Sequence, residues 1–392
     1  MPEYIRHDEG TFVSLTKQQK EAIGLLSIGT FLEYFDLMLY VHMAVLLNEL
    51  FFPKTNDITT ASFLSAAAFC SAYVLRPFGA LIFGWLGDNI GRKTTVIITT
   101  FLMSISCMVV ANLPTYDQIG IKAIIIVTIC RMIQGISSMG ERVGAGIYIS
   151  EMTKPPIQYA AVTMIGFLSA LGGTFALFIA SLVTSYGFNW RLAFWIGAGV
   201  AIIGFFARTA LRETPEFANA RYYLQNVYSS TNHHNPILST NPLIQTKIQK
   251  STIIANFFSS CGGSISLYFS YIYCANILKY SLNYNSSQVI HHNFIVSMIG
   301  LACYFIQVYL SYIIYPLKIL KVKLTIFSIS VFAFPYLLNH ITSSTSLFFV
   351  QLISLVFSPS QTPAMPIFFK HFPIFKRFTY VSMTYAISHT CM

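Results

Sequence analysis

Charge is scarce in this sequence. Lys, Arg, Asp and Glu make up 10% of its 392 residues, against about 25% in ordinary soluble domains, which excludes a soluble globular protein. Acids are the scarcest: there are 14, and all precede Phe217. No GxxxxGK[ST] phosphate loop occurs, so any work done by the chain has to draw on an ion gradient rather than on ATP. The seven cysteines (Cys70, Cys107, Cys130, Cys261, Cys274, Cys303 and Cys391) form neither a CxxC pair nor a His/Cys cluster. They read as small packing residues rather than a disulfide or metal framework. No nucleophile elbow, metal-ligand spacing or catalytic triad is present, so neither an enzyme nor a cofactor is expected. The first 20 residues are polar, and the first apolar run is too long for a signal peptide and lacks a small-residue cleavage site.

Hydrophobic residues make up 55% of the chain, and mean hydropathy is +0.61. Runs of the roughly 20 residues needed to cross the hydrocarbon are centred near Asp36, Tyr73, Met103, Ile133, Leu171, Gly199, Ile265, Cys303, Phe332 and Leu355, predicting ten spans. With a cytoplasmic amino terminus, 17 of the 24 basic residues fall on inner segments, including Arg92, Lys93, Arg208 and Lys318. Only Lys54, Lys122, Arg191 and Lys279 fall outside. This bias sets the orientation, and it explains the +10 net charge by a lipid bilayer rather than by nucleic acid. The expected organisation is a cytoplasmic segment 1–20, a six-helix bundle 21–211, a polar central loop 212–250 and a four-span second bundle 251–392. The last 14 or 15 residues are too few to cross, so the second bundle reads as incomplete. Pro359, Pro363 and Pro366 should kink the tenth span.

Charges at bilayer depth cost about 2.5 to 3.5 kcal/mol each, so each calls for a partner or a wet cavity. Six such residues occur: Glu33 and Asp36 in span one, Arg76 in span two, and Arg131, Glu141 and Arg142 in span four. Glu33 and Asp36 project about 60° apart on one helix face, together with Thr30 and Tyr40. Arg131, Gln134, Gly135, Ser138, Glu141 and Arg142 share one face of span four. Asp36, Arg76 and Arg131 fall at similar depth, which predicts a central polar cavity, and Glu33 reads as a structural member. Purely structural ion pairs remain the alternative. His291 and His292 read as interfacial, and Gly166, Ser169, Gly172 and Gly173 as a packing stripe.

Between spans two and three, GWLGDNIGRKTTV combines Gly84, Gly87 and Gly91 with Asp88, Arg92 and Lys93. An acid at a helix end and a basic pair just beyond it can latch neighbouring helices. GWLGDNIGRK is similar to the loop signature GxLxDxxGRK of the major facilitator superfamily. RPFGALIFG, FLEYFDLMLY, RMIQGISSMGE and RETPEF resemble its metabolite:proton symporter branch, strongly over residues 20 to 220. FPIFKRFTYVSMTYAIS resembles the loop and helix start before an eleventh span. The sequence departs from the branch in ending at Met392, in YPLKILKVKL, and in having Arg142 where an aromatic residue is common.

The resemblance implies an all-α membrane protein of the major facilitator type in a bacterial inner membrane, with an apparently truncated second half. It implies a proton-coupled symporter of a small polar solute. Glu33, Asp36, Arg76, Arg131, Gln134 and Glu141 would serve the substrate and the proton, and Gly84, Asp88, Gly91, Arg92 and Lys93 the cytoplasmic gate. A zwitterion such as proline or betaine suits a cavity with both signs of charge. A dicarboxylate such as 2-oxoglutarate, a non-transporting membrane sensor and an inactive truncated carrier are the competing readings. The expected partners are the solute, the proton and lipid, and the sequence sets no oligomeric state.

Overall fold

The computed structural model describes residues 15–52, 70–186, 189–230, 248–341 and 343–391. Residues 1–14 of the N-terminal segment, Lys54 at the expected outer face, and 231–247 of the central loop lie outside the described residues. A chain in hydrocarbon must satisfy its backbone internally, which selects helices for these apolar runs. Among the described residues all regular structure is indeed helical. The first half comprises α1 (Lys17–Phe51), α2 (Arg76–Asn89), α3 (Arg92–Asn112), α4 (Ile121–Met152), α5 (Ile157–Tyr186) and α6 (Trp190–Thr209). A polar helix, α7 (Pro215–Ser230), follows. The second half comprises α8 (Lys250–Tyr268), α9 (Cys274–Tyr280), α10 (Ser286–Ile313), α11 (Pro316–Asn339), α12 (Ser344–Val356) and α13 (Arg377–Thr390).

Five helices among the described residues are long and apolar enough to cross a membrane, and Trp190–Phe206 and Ser344–Val356 form two shorter apolar stretches. Of the five expected spans outside that set, three differ for visible local reasons. The second begins outside the described residues. The seventh is interrupted by a π-helical turn, Phe269–Tyr273, between α8 and α9. The tenth ends at Val356, and beyond Pro359 a short turn, Thr362–Ala364, and a five-residue helix, Met365–Phe369, replace it. That break falls where the prolines remove backbone donors. Large apolar side chains such as Trp85, Phe206 and Phe332 point outward, as lipid contact requires.

Within the first half α1 packs on α5, and α3 packs on α4 and α6. Close approach of α4 to the helical stretch before α2 depends on Gly135, where an added Cβ would overlap the Ala72 backbone. The two halves meet along two seams, α10 against α5 and α13 against α2. Phe369, Phe372, Phe378 and Val381 from the second half share one apolar cluster with Ala80, Met139, Val143 and Ile147 from the first. The turn between α2 and α3 passes through Gly91 at φ 146°, a conformation that favours glycine.

Candidate functional site

Three charged groups lie within the first half, and they differ in how completely they are paired. Asp36 on α1 and Arg131 and Gln134 on α4 form a closed, buried network. Arg131 donates from Nη1 to Asp36 Oδ2 at 3.2 Å and to Gln134 Oε1 at 2.8 Å, and Gln134 Nε2 donates to Asp36 Oδ1 at 3.1 Å. The Cys107 thiol lies 3.5 Å from Asp36 Oδ1, and the Arg131 guanidinium lies 4.1 Å from the centre of the Tyr40 ring. The three-residue spacing of Arg131 and Gln134 on α4 puts both on the face toward α1. Cys107 is a member that sequence reasoning took for mere packing; no spacing in α3 marks it.

Glu141 forms a second group, two turns further along the same helix. Its carboxylate accepts from Arg208 Nη1, from Thr100 Oγ1 and from Thr99 Oγ1 at 3.1 Å. Arg208 also donates to the carbonyls of Leu25 at 3.1 Å and Leu26 at 3.0 Å. Counted from sequence among the solvated inner residues, Arg208 is instead fully buried. The run without a charge from Leu192 continues unbroken to Ala207, and that was the available signal.

The third group is Glu33, Arg76 and Arg142. Among the described residues none of the three makes an ion pair. Glu33 Oε2 and Arg76 Nε are buried with no hydrogen-bond partner. Glu33 therefore lacks the pairing expected of a structural member, and Arg76 turns to Tyr73, 4.5 Å from the ring centre, rather than to Asp36. Arg142 lies between the rings of Tyr34 on α1 and Tyr385 on α13, at 4.7 and 5.4 Å. The charges of Arg76 and Arg142 act on Glu33, on Tyr385 and on His389, so the group faces α13. A narrow cavity at this seam is lined by Arg142, Asn256, Gln361 and Tyr385. His389, on the terminal stretch read as too short to cross, is a missed neighbour of this group.

The residue 84–93 turn forms an interlock between the halves. Asp88 accepts from the backbone amides of Phe378 at 3.0 Å and Thr379 at 2.9 Å, and from Thr379 Oγ1 at 2.8 Å, so a side chain of α2 caps α13. Arg92 donates to Asp88 at 3.3 Å, to Glu151 at 3.1 and 3.2 Å, and to the Ile374 carbonyl at 2.6 Å. Arg377 donates to Glu151 and Glu216, each at 2.8 Å. Glu213 accepts from the amides of Arg92 at 3.1 Å and Lys93 at 3.4 Å. Burial pushes the Asp88 carboxyl above its ordinary value, and Arg92 with the donors of Thr379 and Phe378 pulls it back. Gly84 and Gly87 face Thr379 and Phe378, with no room for a Cβ. The side chain of Lys93 is half-buried and takes no part in these bonds. Glu151, Glu213, Glu216 and Arg377 were not singled out from sequence, although RETPEF contains two of them.

Near the other end of the second half, His292 bonds Gln351 at 2.7 Å while His291 is exposed. Among the described residues no His, Cys, Asp and Glu cluster could hold a metal ion.

The family model for the Major Facilitator Superfamily matches residues 26–389. A curated proline/betaine transporter of Escherichia coli (strain K12) is 36% identical over 205 residues, covering 50% of this chain and 41% of that protein. The proline/betaine transporter of Salmonella typhimurium is 31% identical over 300 residues, covering 74% of this chain and 58% of that one. The chain thus matches about half the length of these relatives. Among solved structures, the proton:xylose symporter XylE bound to 6-bromo-6-deoxy-D-glucose superposes with a TM-score of 0.77 at 14% identity, covering 95% of this chain and 86% of that one. The human organic anion transporter MFSD10 gives 0.69 at 14% identity, with 96% and 93% covered.

Proposed function

The chain belongs to the major facilitator superfamily, a family of multi-pass membrane transporters, and on that premise we propose that it is a proton-coupled symporter of a small polar solute. The proposed solute is a zwitterion of the proline or betaine type, the proposed location a bacterial inner membrane with the amino terminus and the residue 84–93 turn cytoplasmic. The organisation proposed for it is a first bundle 21–211 and a second bundle 251–392, joined by the loop 212–250.

The observation that carries the reading is the buried Asp36–Arg131 pair, in which each charge has one ionic partner. A proton that adds to Asp36 cancels its charge and frees the Arg131 guanidinium and Gln134, both of which must then find a new acceptor. A solute carboxylate supplies one. Filling the cavity draws the halves together around the solute, and the Asp88 and Arg377 contacts at the cytoplasmic end part as the bundles rock. One proton moving through 100 mV yields about 2.3 kcal/mol, enough for about 50-fold accumulation of a neutral or zwitterionic solute.

A dicarboxylate of the 2-oxoglutarate kind is the second reading, favoured by the unpaired Arg76 and Arg142. Purified protein in proteoliposomes tests both. An inward proton gradient should drive uptake of labelled proline, a protonophore should abolish it, and Asp36→Asn should lose the dependence on the gradient. Uptake that ignores the gradient in the unaltered protein refutes the coupling. Uptake of 2-oxoglutarate without proline selects the second reading.

A further inference from the structure

Arg377 aside, one lysine or arginine of the second half is turned inward. Lys318, Lys321, Lys370 and Lys376 are exposed, whereas Lys323 on α11 is 7% exposed. α10 ends at Ile313 and α11 begins at Pro316, so only Ile314 and Tyr315 join them. Gln307 on α10 and Lys323 on α11 each stand about 10 Å from that link, at 1.5 Å per residue. They meet there: Lys323 Nζ donates to Gln307 Oε1 at 3.3 Å. The ammonium has three donors, and among the described residues this is its one acceptor. Gln307 Nε2, on the same amide, is buried with no partner. Turning the amide over would set donor against donor, so Gln307 cannot relieve the shortage itself. The second half has no carboxylate to offer, since all acids precede Phe217. A lysine two turns inside a helix end ordinarily snorkels to the surface, but this one turns to an amide. A buried charge and a buried N–H on one spot lack a negative acceptor.

We infer that Lys323 and Gln307 form an oxyanion site: a phosphate group, from an anionic lipid headgroup or from free phosphate, accepts from Lys323 Nζ and Gln307 Nε2 between α10 and α11. A phosphate brings several acceptor oxygens to donors that arrive from two helices, and its charge answers that of the ammonium. The position suits either source. Lys318 and Lys321 are exposed near the same end of α11, and a basic surface at a membrane face gathers phosphate-bearing anions. Neither the site nor its test depends on transport.

Thermal melting of the full chain in dodecyl maltoside, a detergent with neither charge nor phosphate, is the reference. One arm adds inorganic phosphate, a second adds phosphatidylglycerol, and a third adds sodium chloride to the ionic strength of the first. The expected result is a rise of about 2 °C or more in one or both phosphate arms and none with chloride. A rise in one phosphate arm alone identifies the source. Lys323→Met should melt no lower than the unaltered protein in the reference, because the stranded charge is gone, and should lose the rise. Gln307→Leu keeps the lysine and should lose at least half of the rise. The inference is overturned by no rise in either phosphate arm, by an equal rise with chloride, or by a rise that either variant keeps in full. A Lys323→Met protein that melts lower or fails to fold in the reference overturns it as well.

Discussion

Arg377 is the side chain best placed to measure the interlock, because it belongs to the second half while its ionic partners are Glu151 of the first half and Glu216 of the joining helix α7. Replacing it by Met leaves Glu151 still paired with Arg92 and Thr214, so the first half keeps its own bonds. The bond to buried Glu151 is charge-assisted and worth about 1.5 to 3 kcal/mol. Glu216 has a side chain 41% exposed, so that second contact adds about 0 to 1 kcal/mol. Arg377→Met should therefore favour separation of the halves at this end by about 1.5 to 4 kcal/mol, or roughly 13- to 900-fold in the population of the open form.

Hydrogen exchange at the Phe378 and Thr379 amides reads that population, since both are bonded to Asp88 across the interface and are released only when it parts. Exchange in Arg377→Met should accelerate by the same roughly 13- to 900-fold, while amides in the middle of α4 are unaffected. An acceleration below about fivefold would refute the assignment of these contacts as the restraint on opening.

Two further outcomes follow from the packing. Gly135→Val would put its Cβ 2.7 Å from the Ala72 Cα, forcing α4 off its neighbour at a cost of about 1 to 3 kcal/mol or more, and the thermal melting temperature should fall. Glu141→Gln strands the fully buried Arg208 and should destabilise the protein by about 3 to 5 kcal/mol in the same measurement. Adding Arg208→Met to that variant should recover most of the loss, because the stranded charge and not the missing pair is the main cost.

What could be read in the sequence was what is encoded locally. The GWLGDNIGRK turn was legible because glycine at 91 and an acid before a basic pair act within ten residues. The kink of the tenth span was legible because prolines act on their own backbone. The face of α4 carrying Arg131, Gln134 and Glu141 followed from helical spacing, but its division into separate networks did not. Spacing places side chains on a face; it does not say which of two carboxylates, Asp36 or Glu141, will meet which arginine. Arg208 illustrates the limit. It stands a single residue after the apolar run, its partner is 67 positions earlier, and membrane depth at a span's end is uncertain by about a turn. Arg377 and Glu151 are 226 positions apart, and no local pattern connects them.

The confinement of acids to the first half gives α13 a particular position. Its amino end is capped by Asp88, and Tyr385 and His389 on its body lie in the field of Arg76 and Arg142. A helix of 14 residues is about 21 Å long and behaves as one stiff rod over that length. A solute that pulls Arg142 from the Tyr385 ring changes the force on α13 in the cavity, and that force reaches the capped end. Solute should therefore alter exchange at Phe378 and Thr379 although it touches neither. Tyr385→Ala removes the contact with Arg142 and leaves the Asp88 cap in place, so the expected result is normal protection of both amides without solute and loss of the solute-induced change. If solute altered exchange equally in Tyr385→Ala, coupling through α13 would be wrong, and the α5–α10 seam would have to transmit it instead.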